Sequence, residues 1–465
     1  MVPHDKADRM DVTQLHCDAA PLTPVDNTNA DSFALFDNIL QRPSGAELAA
    51  NSARLAVLAK EFRDTQMAIR RQQREEQMRK AVMVGCPALV VSRKELGIMS
   101  ELKLANGSSD QQKITPKVLL IAMFYEESRN WLSPSSTIQF PRKIRVPGLA
   151  RGYEDIHVTE NGDVALLVVG TALINASLSI SALLTSPLFD LSKSYFILTG
   201  IAGVNPKRAT IGSVAFARFV VQVDTQLEFD AREVPEEWGS GYVPMGADKP
   251  DQFPGIVHGS EVFELNTALR DYAISVAKSV TLEDSPVAAE HRALWQNSPE
   301  GIFEAATQRP SVLEGDVLSS NTFWHGHRIS EAMERVARVY TAGQAEYTMT
   351  AQEDNALLAG LLNAALQGKV DFSRILLIRS ASNFDRGHED KPHQLPFVMD
   401  KGGLGPSTRN LYLTGLKVIE GILEGWSSRF EAGIAPVNYI GDIFGSLGGK
   451  PGFGDKHNID QIRSH

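Results

Sequence analysis

The sequence predicts an α/β fold, with helices covering both faces of a central sheet. Short apolar runs of strand length recur between residues 115 and 385, and segments of helical periodicity lie between them. With 43% hydrophobic and 22% charged residues, the chain has the composition of an ordinary globular protein that can bury a core. Its 465 residues exceed the size at which single cores stop growing, so a large domain with an appendage, or two domains, is expected.

Residues 1–48 are rich in Asp, Asn, Pro and Thr with little periodicity, which predicts a flexible leader. Over residues 49–82, Leu55, Leu58, Phe62 and Ile69 share one face of a helix whose other positions are polar. The turn-rich run Ala105–Gln112 (ANGSSDQQ) closes this N-terminal extension at residue 113, and the body is expected over residues 114–430. Pro116–Phe124 (PKVLLIAMF) is suited to a fully buried strand. Val164–Phe189 carries no charge and is longer than the roughly 20 residues a bilayer span needs. Its β-branched start (VALLVV), the break at Gly170 and the helical pattern of Leu173–Leu184 nevertheless predict a buried strand, a tight turn and a packed helix. Ser194–Gly200, Gly212–Asp224 and Arg374–Ser382 continue the strand series, while Val262–Val280 and Asn355–Leu366 show helical spacing. The tail, residues 431–465, includes GSLGGKPGFGDKHNID and is expected to be mobile.

A net charge of −10 spread along the chain argues against a nucleic-acid surface, which needs clustered Lys and Arg. The two cysteines, Cys17 and Cys86, cannot form a disulfide framework for the body, so a reducing compartment is the simpler expectation. The first residues lack the basic patch and apolar run of a secretory signal, so a non-secreted chain is expected, its location cytoplasmic or otherwise unconstrained, with no transmembrane span. No nucleophile elbow, Walker A loop or zinc-spaced cysteine pair occurs. His325 and His327 alternate and could share one side of a strand, but no third ligand sits at a suggestive spacing. Neither a metal nor a cofactor is predicted.

Several blocks carry a family resemblance: VVGTALINAS (Val168–Ser177), Ser186–Asp224, EFDAREVP (Glu228–Pro235), SEVFELNTALRD (Ser260–Asp271), FWHG (Phe323–Gly326), YTMTAQEDNALL (Tyr347–Leu358) and RSASNFD (Arg379–Asp385). They resemble the purine nucleoside permease family, itself similar to the nucleoside phosphorylase and nucleosidase superfamily. The resemblance covers roughly residues 115–430. It implies a three-layer α/β/α architecture with a central mixed sheet, a purine nucleoside as ligand, phosphate or water as co-substrate if the N-glycosidic bond is cleaved, and a homo-oligomer.

The resemblance also implies site residues. Glu126 or Glu127, just past the first strand, would orient the nucleophile, as a carboxylate at a strand end can. The turn at Gly170, with Ala172 standing where the family has a second glycine, would bring backbone N–H groups to the sugar or the attacking anion, with Asn175 beside it. Gly200, Ala202 and Gly203 would approach the purine edge. Phe323, with Trp324 next to it, would stack on the base. Glu353 would grip both ribose hydroxyls, and Arg379 would stand at the following strand end. Asn383 takes the place facing N7 of the purine, where nucleosidases generally have Asp and some phosphorylases Asn; activation of the leaving group would then be weaker or come from Asp385. The basic groups that the superfamily's phosphorylases gather around phosphate are not evident at the matching positions, which tilts the expected cleavage toward water as nucleophile, although Arg379 and Arg218 could be recruited for phosphate. A binding protein that assists uptake without turnover is the alternative to an enzyme.

Overall fold

The computed structural model describes residues 113–296, 299–388 and 402–453. The expected leader, amphipathic helix and linker lie outside the described residues.

In chain order the first half contains β1 (Val118–Ala122), α1 (Tyr125–Leu132), β2 (Arg142–Arg145), β3 (Asp155–Val158), β4 (Val164–Val168), α2 (Ala172–Thr185) and β5 (Tyr195–Val204). There follow β6 (Val214–Phe216), β7 (Phe219–Gln222), the hairpin β8 (Gln226–Glu228) and β9 (Tyr242–Pro244), β10 (Val262–Glu264), α3 (Thr267–Ala277), α4 (Pro286–Ala293) and α5 (Glu304–Thr307). The chain continues with β11 (Val312–Glu314), β12 (Asp316–Ser319), α6 (His327–Tyr340), β13 (Tyr347–Ala351), α7 (Asp354–Leu366), β14 (Ile375–Phe384), α8 (Leu404–Glu424) and β15 (Gly441–Asp442).

Thirteen strands form one mixed sheet among the described residues. Its main path runs β15, β10, β7, β12, β13, β5, β1, β4, β3, β2, and β14, β6 and β11 branch from β5. The centre is parallel: β1 pairs with β4 and β5, and β5 with β14. Strands placed there are covered on both faces, which is why β1 is apolar at every position and fully buried. Leu119 and Ile121 point into a core shared with α2 and α7, whereas Val118 and Leu120 point into a core shared with α3 and α8. This alternation produces the three layers.

The uncharged stretch after Val164 divides as expected into β4, a turn at Gly170 and α2. Gly170 sits at φ +79°, and a Cβ there would come within 2.8 Å of the Ala150 side chain. No helix among the described residues is long and apolar enough to cross a membrane.

The segment Val262–Val280 departs from the expected single helix. Val262–Glu264 pairs with β7 as a buried strand, and Asn266 then caps α3 by accepting hydrogen bonds from the Ala268 and Leu269 amides at 3.1 and 3.3 Å. Val262 and Leu265 fit the apolar stripe of a helix, but the asparagine is a start signal that periodicity alone overrides. His325 and His327 do not share a strand either: His325 lies in a loop and His327 opens α6. Within the Gly-rich tail, Gly441–Asp442 adds an edge strand to β10, and Phe453 packs against Phe219.

Candidate functional site

Six strand ends converge on one pocket of about 470 Å³. Beyond β1, helix α1 begins with two consecutive acids that diverge by about 100° on its surface. Glu126 turns outward and pairs with Arg129 at 3.0 Å. Glu127 turns inward, is 1% exposed and lines the pocket. Its Oε2 accepts the Met123 amide at 2.7 Å and its Oε1 the Ile201 amide at 2.8 Å. Burial pushes this carboxyl up to about 8; Arg379 and the two amides pull it down, and Glu353 adds to the rise.

Beyond β13, Glu353 lies immediately before α7 and is 4% exposed. Its Oε1 accepts the Ala172 amide at 2.8 Å, and its Oε2 lies 3.5 Å from the Arg379 guanidinium. Burial raises its pKa, against the opposing pull of Arg379 and the Ala172 amide. Ala172 adopts φ +72°, a left-handed conformation that costs an alanine about 1 kcal/mol or more. That conformation aims its N–H at Glu353, while the next amide, Leu173, donates to Asn321 Oδ1 at 3.0 Å.

Arg379, on β14, is fully buried. Nε donates to Asp354 Oδ2 at 3.1 Å, Nη2 pairs with Asp354 Oδ1, and Nη1 donates to the Ile201 carbonyl at 3.2 Å. Despite its desolvation, the flanking acids Asp354, Glu353 and Glu127 hold its pKa above the ordinary arginine value. Gly200 makes room for this group. A Cβ at that position would overlap the guanidinium and lie 2.9 Å from Glu127 Oε1.

The register of β14 against β5 slips between Ala381 and Asn383. This bulge lets two consecutive residues, Ser382 and Asn383, reach the pocket wall, which a regular strand forbids. Asn383 Nδ2 donates to the Phe384 carbonyl at 3.0 Å, which fixes the amide's orientation, and its Oδ1 faces Ser382 Oγ at 3.0 Å. Ile201, Ala202 and Gly203 of the neighbouring strand β5 continue the same wall, and Phe323 and Trp324 also line the pocket. Phe323 is 48% exposed at the rim, whereas Trp324 is 5% exposed and packs towards Tyr347.

The pocket therefore brings together Glu127, Ala202, Gly203, Phe323, Trp324, Glu353, Arg379 and Asn383. Gly170, Asn175 and Gly200 do not line the pocket, and the exposed Asn175 donates from Nδ2 to the Thr171 carbonyl at 2.8 Å within its own helical turn. Glu126 and Asp385 are elsewhere. Both Asp385 oxygens are engaged in the interior, by Tyr347 Oη at 2.6 Å and by Arg386 at 2.8 and 3.1 Å. Asp354, Asn321, Thr350 and Ser382 were not singled out from sequence. Only Asp354 carried a signal, as the second acid at the start of α7. Among the described residues no cluster of His, Cys, Asp or Glu suits a metal ion.

Fold and pocket define a three-layer α/β protein whose strand ends hold an acid-rich, aromatic-walled cavity. Residues 115–435 match the family model described as purine nucleoside permease (NUP). The chain belongs to the purine nucleoside permease family. A purine nucleoside permease of Candida albicans is 38% identical over 352 residues, covering 74% of this chain and 84% of the relative. A probable purine nucleoside permease of Schizosaccharomyces pombe is 32% identical over 324 residues, covering 67% and 90%. Among solved structures, the 5′-methylthioadenosine/S-adenosylhomocysteine nucleosidase of Neisseria meningitidis aligns with a TM-score of 0.39 and 16% identity, over 66% of this chain and 99% of that one. Futalosine hydrolase of Helicobacter pylori aligns with a TM-score of 0.40 and 14% identity, over 66% and 98%.

Proposed function

We propose that the pocket binds a purine nucleoside and that the chain cleaves its N-glycosidic bond to release the free base. The observation that carries this reading is the convergence of Glu353, Asn383, Phe323 and Glu127 from four separate strand ends on one cavity. A mostly apolar cleft with a few converging polar groups is the usual form of a small-molecule site. Glu353, oriented by the Ala172 amide, accepts the two ribose hydroxyls. Phe323 offers a ring face to the base. Asn383, with one amide hydrogen committed to Phe384, presents the other to an acceptor nitrogen of the purine. Glu127 holds the nucleophile against the sugar. The names of the related permeases support the choice of ligand.

Calorimetric titration of the full chain with inosine, guanosine and adenosine tests the binding. Glu353→Ala should weaken affinity by roughly 100-fold, in line with the loss of hydrogen bonds to a charged group. An unchanged affinity would remove the pocket assignment.

A second reading, binding in support of uptake without turnover, is favoured by Asn383 itself. An amide has no proton to transfer to a leaving purine. Release of free base on prolonged incubation separates the two.

A further inference from the structure

Phe323 and Asn383 reach the pocket from different parts of the chain, and both lead into a buried junction where β14 ends. Three consecutive residues there each hold the start of α6. The Asp385 carbonyl accepts the Gly326 amide at 3.0 Å and the Ser330 hydroxyl at 3.3 Å. Arg386 Nη1 donates to Glu331 at 2.6 Å, and the Gly387 carbonyl lies 2.8 Å from His327 Nε2. The Asp385 carboxylate orients the set, taking Arg386 Nε and Nη2 at 2.8 and 3.1 Å and the Tyr347 hydroxyl of β13 at 2.6 Å. Asp385 and Arg386 are each 1% exposed, so removing either would leave the other charge buried without its main partner. Phe323 stands three residues before Gly326, and Asn383 two before Asp385. Gly326 turns at φ +137°, a conformation that essentially only glycine adopts, and this brings its N–H onto the Asp385 carbonyl. Trp324, next to Phe323, packs its ring 6.5 Å from that of Tyr347, centroid to centroid.

We infer that Asp385 and Arg386 are positioning residues for the base: without touching the ligand, their pair fixes the spacing between the Phe323 ring and the Asn383 amide. The inference rests on the binding half of the proposed function and names the residues that tune it. A planar base has to meet a ring face and an amide edge at once, and both contacts weaken steeply when either group is displaced. The Gly326–Asp385 and Arg386–Glu331 hydrogen bonds make the aromatic loop and the end of β14 move as one body. The groups assigned to the sugar have other anchors: Glu353 holds the Ala172 amide, Glu127 the Met123 and Ile201 amides, and Arg379 grips Asp354. A fault at the junction is therefore felt by the base and not by the ribose hydroxyls.

The test measures calorimetric affinities of the full chain for hypoxanthine, inosine and 2′,3′-dideoxyinosine. The variants are Asp385→Asn and Glu331→Ala, each alone and combined with Phe323→Ala. Glu331, with a side chain 43% exposed, carries the test by itself should Asp385→Asn fail to fold. Either substitution should weaken hypoxanthine and inosine alike by about 10-fold, within the range of coupling between groups that share one network. The ratio of inosine to 2′,3′-dideoxyinosine affinity, which reports the grip on the hydroxyls, should stay at the parent value. In the Phe323→Ala background the same substitutions should cost no more than about 2-fold, since the ring they position is gone. A loss that persists there in full would show that the junction only supports the fold at large, and would overturn the inference. Unchanged hypoxanthine affinity, or a changed ratio, would overturn it as well while leaving the nucleoside pocket standing. A parent chain that binds neither hypoxanthine nor inosine would overturn the proposed function, and the inference with it.

Discussion

Replacing Glu127 by Gln tests the electrostatics of the pocket most directly. The carboxyl is 1% exposed, and burial raises its pKa from 4.5 to about 8. At about 1.4 kcal/mol per unit, holding it charged in the folded state costs on the order of 5 kcal/mol. Because the folded-state value is the higher one, the native state binds more protons than the unfolded chain. The contribution of this group to stability is then complete below about pH 4.5 and is lost as pH rises towards 8. Glutamine cannot titrate, but it has one oxygen where the carboxylate has two. It therefore leaves either the Met123 or the Ile201 amide unpaired, at a cost of about 1–3 kcal/mol. Near pH 5 the variant should be less stable than the parent. Above pH 8 it should be more stable, and the difference should change by roughly 1.4 kcal/mol per pH unit in between. Urea denaturation of both proteins, followed by intrinsic tryptophan fluorescence at intervals from pH 5 to 9, measures that difference. Two stability curves that stay parallel across the range would show that Glu127 titrates as an ordinary surface acid, and the burial argument would fail.

Other substitutions probe the remaining walls. Phe323→Ala should weaken a purine nucleoside and the corresponding free purine alike, by about 1–3 kcal/mol, because stacking acts on the base and not on the sugar; calorimetry with both ligands measures this. Gly200→Ala drives a methyl group into the Arg379 guanidinium, so thermal unfolding should show a loss of about 3 kcal/mol or more together with lost nucleoside binding. Asn383→Asp supplies a carboxyl beside three existing acids, where burial and like charge favour its protonated form. Base release at mildly acidic pH should rise by about 10²-fold, and an unchanged rate would mean that leaving-group protonation does not limit the reaction.

Much of this arrangement is legible along the chain. The apolar runs locate β1, β4, β5 and β14, because parallel strands at the middle of a covered sheet must be hydrophobic on both faces. Glu353 is visible as an acid just past the end of such an element, whereas Arg379, expected at a strand end, stands in the middle of β14 as a charge inside an apolar run. What cannot be read is side-chain direction where the backbone departs from regular geometry. Glu126 and Glu127 are equivalent in sequence, and only the rotation of α1 against β5 turns one inward. Asp385 follows Asn383 by two residues and would share its side of a regular strand, yet it turns into the interior pair with Arg386 and Tyr347 once β14 has bulged and ended. The partnership of Ala172 with Glu353 spans 181 residues and leaves no local trace. Neither does Asn321, which acts from a loop whose composition signals only a turn.

The balance of charge in the pocket bears on the proposed chemistry in a way that no single residue does. Three buried acids surround one guanidinium, and burial first, with the neighbouring acid second, raises the pKa values of Glu127 and Glu353 in the unliganded cavity. A sugar ring that gains positive charge as its bond to the base stretches would reverse this, since it supplies the cation the acids lack. The same excess that penalises the resting state then favours the transition state. In the proposed reaction the positive charge would collapse once the nucleophile bonds to C1′, and burial would again favour the protonated form of Glu127. A carboxylate with a pKa near 8 is a far stronger base than one near 4.5, so the desolvation that makes this acid costly to ionise would also suit it to the proposed role of accepting a proton from the nucleophile.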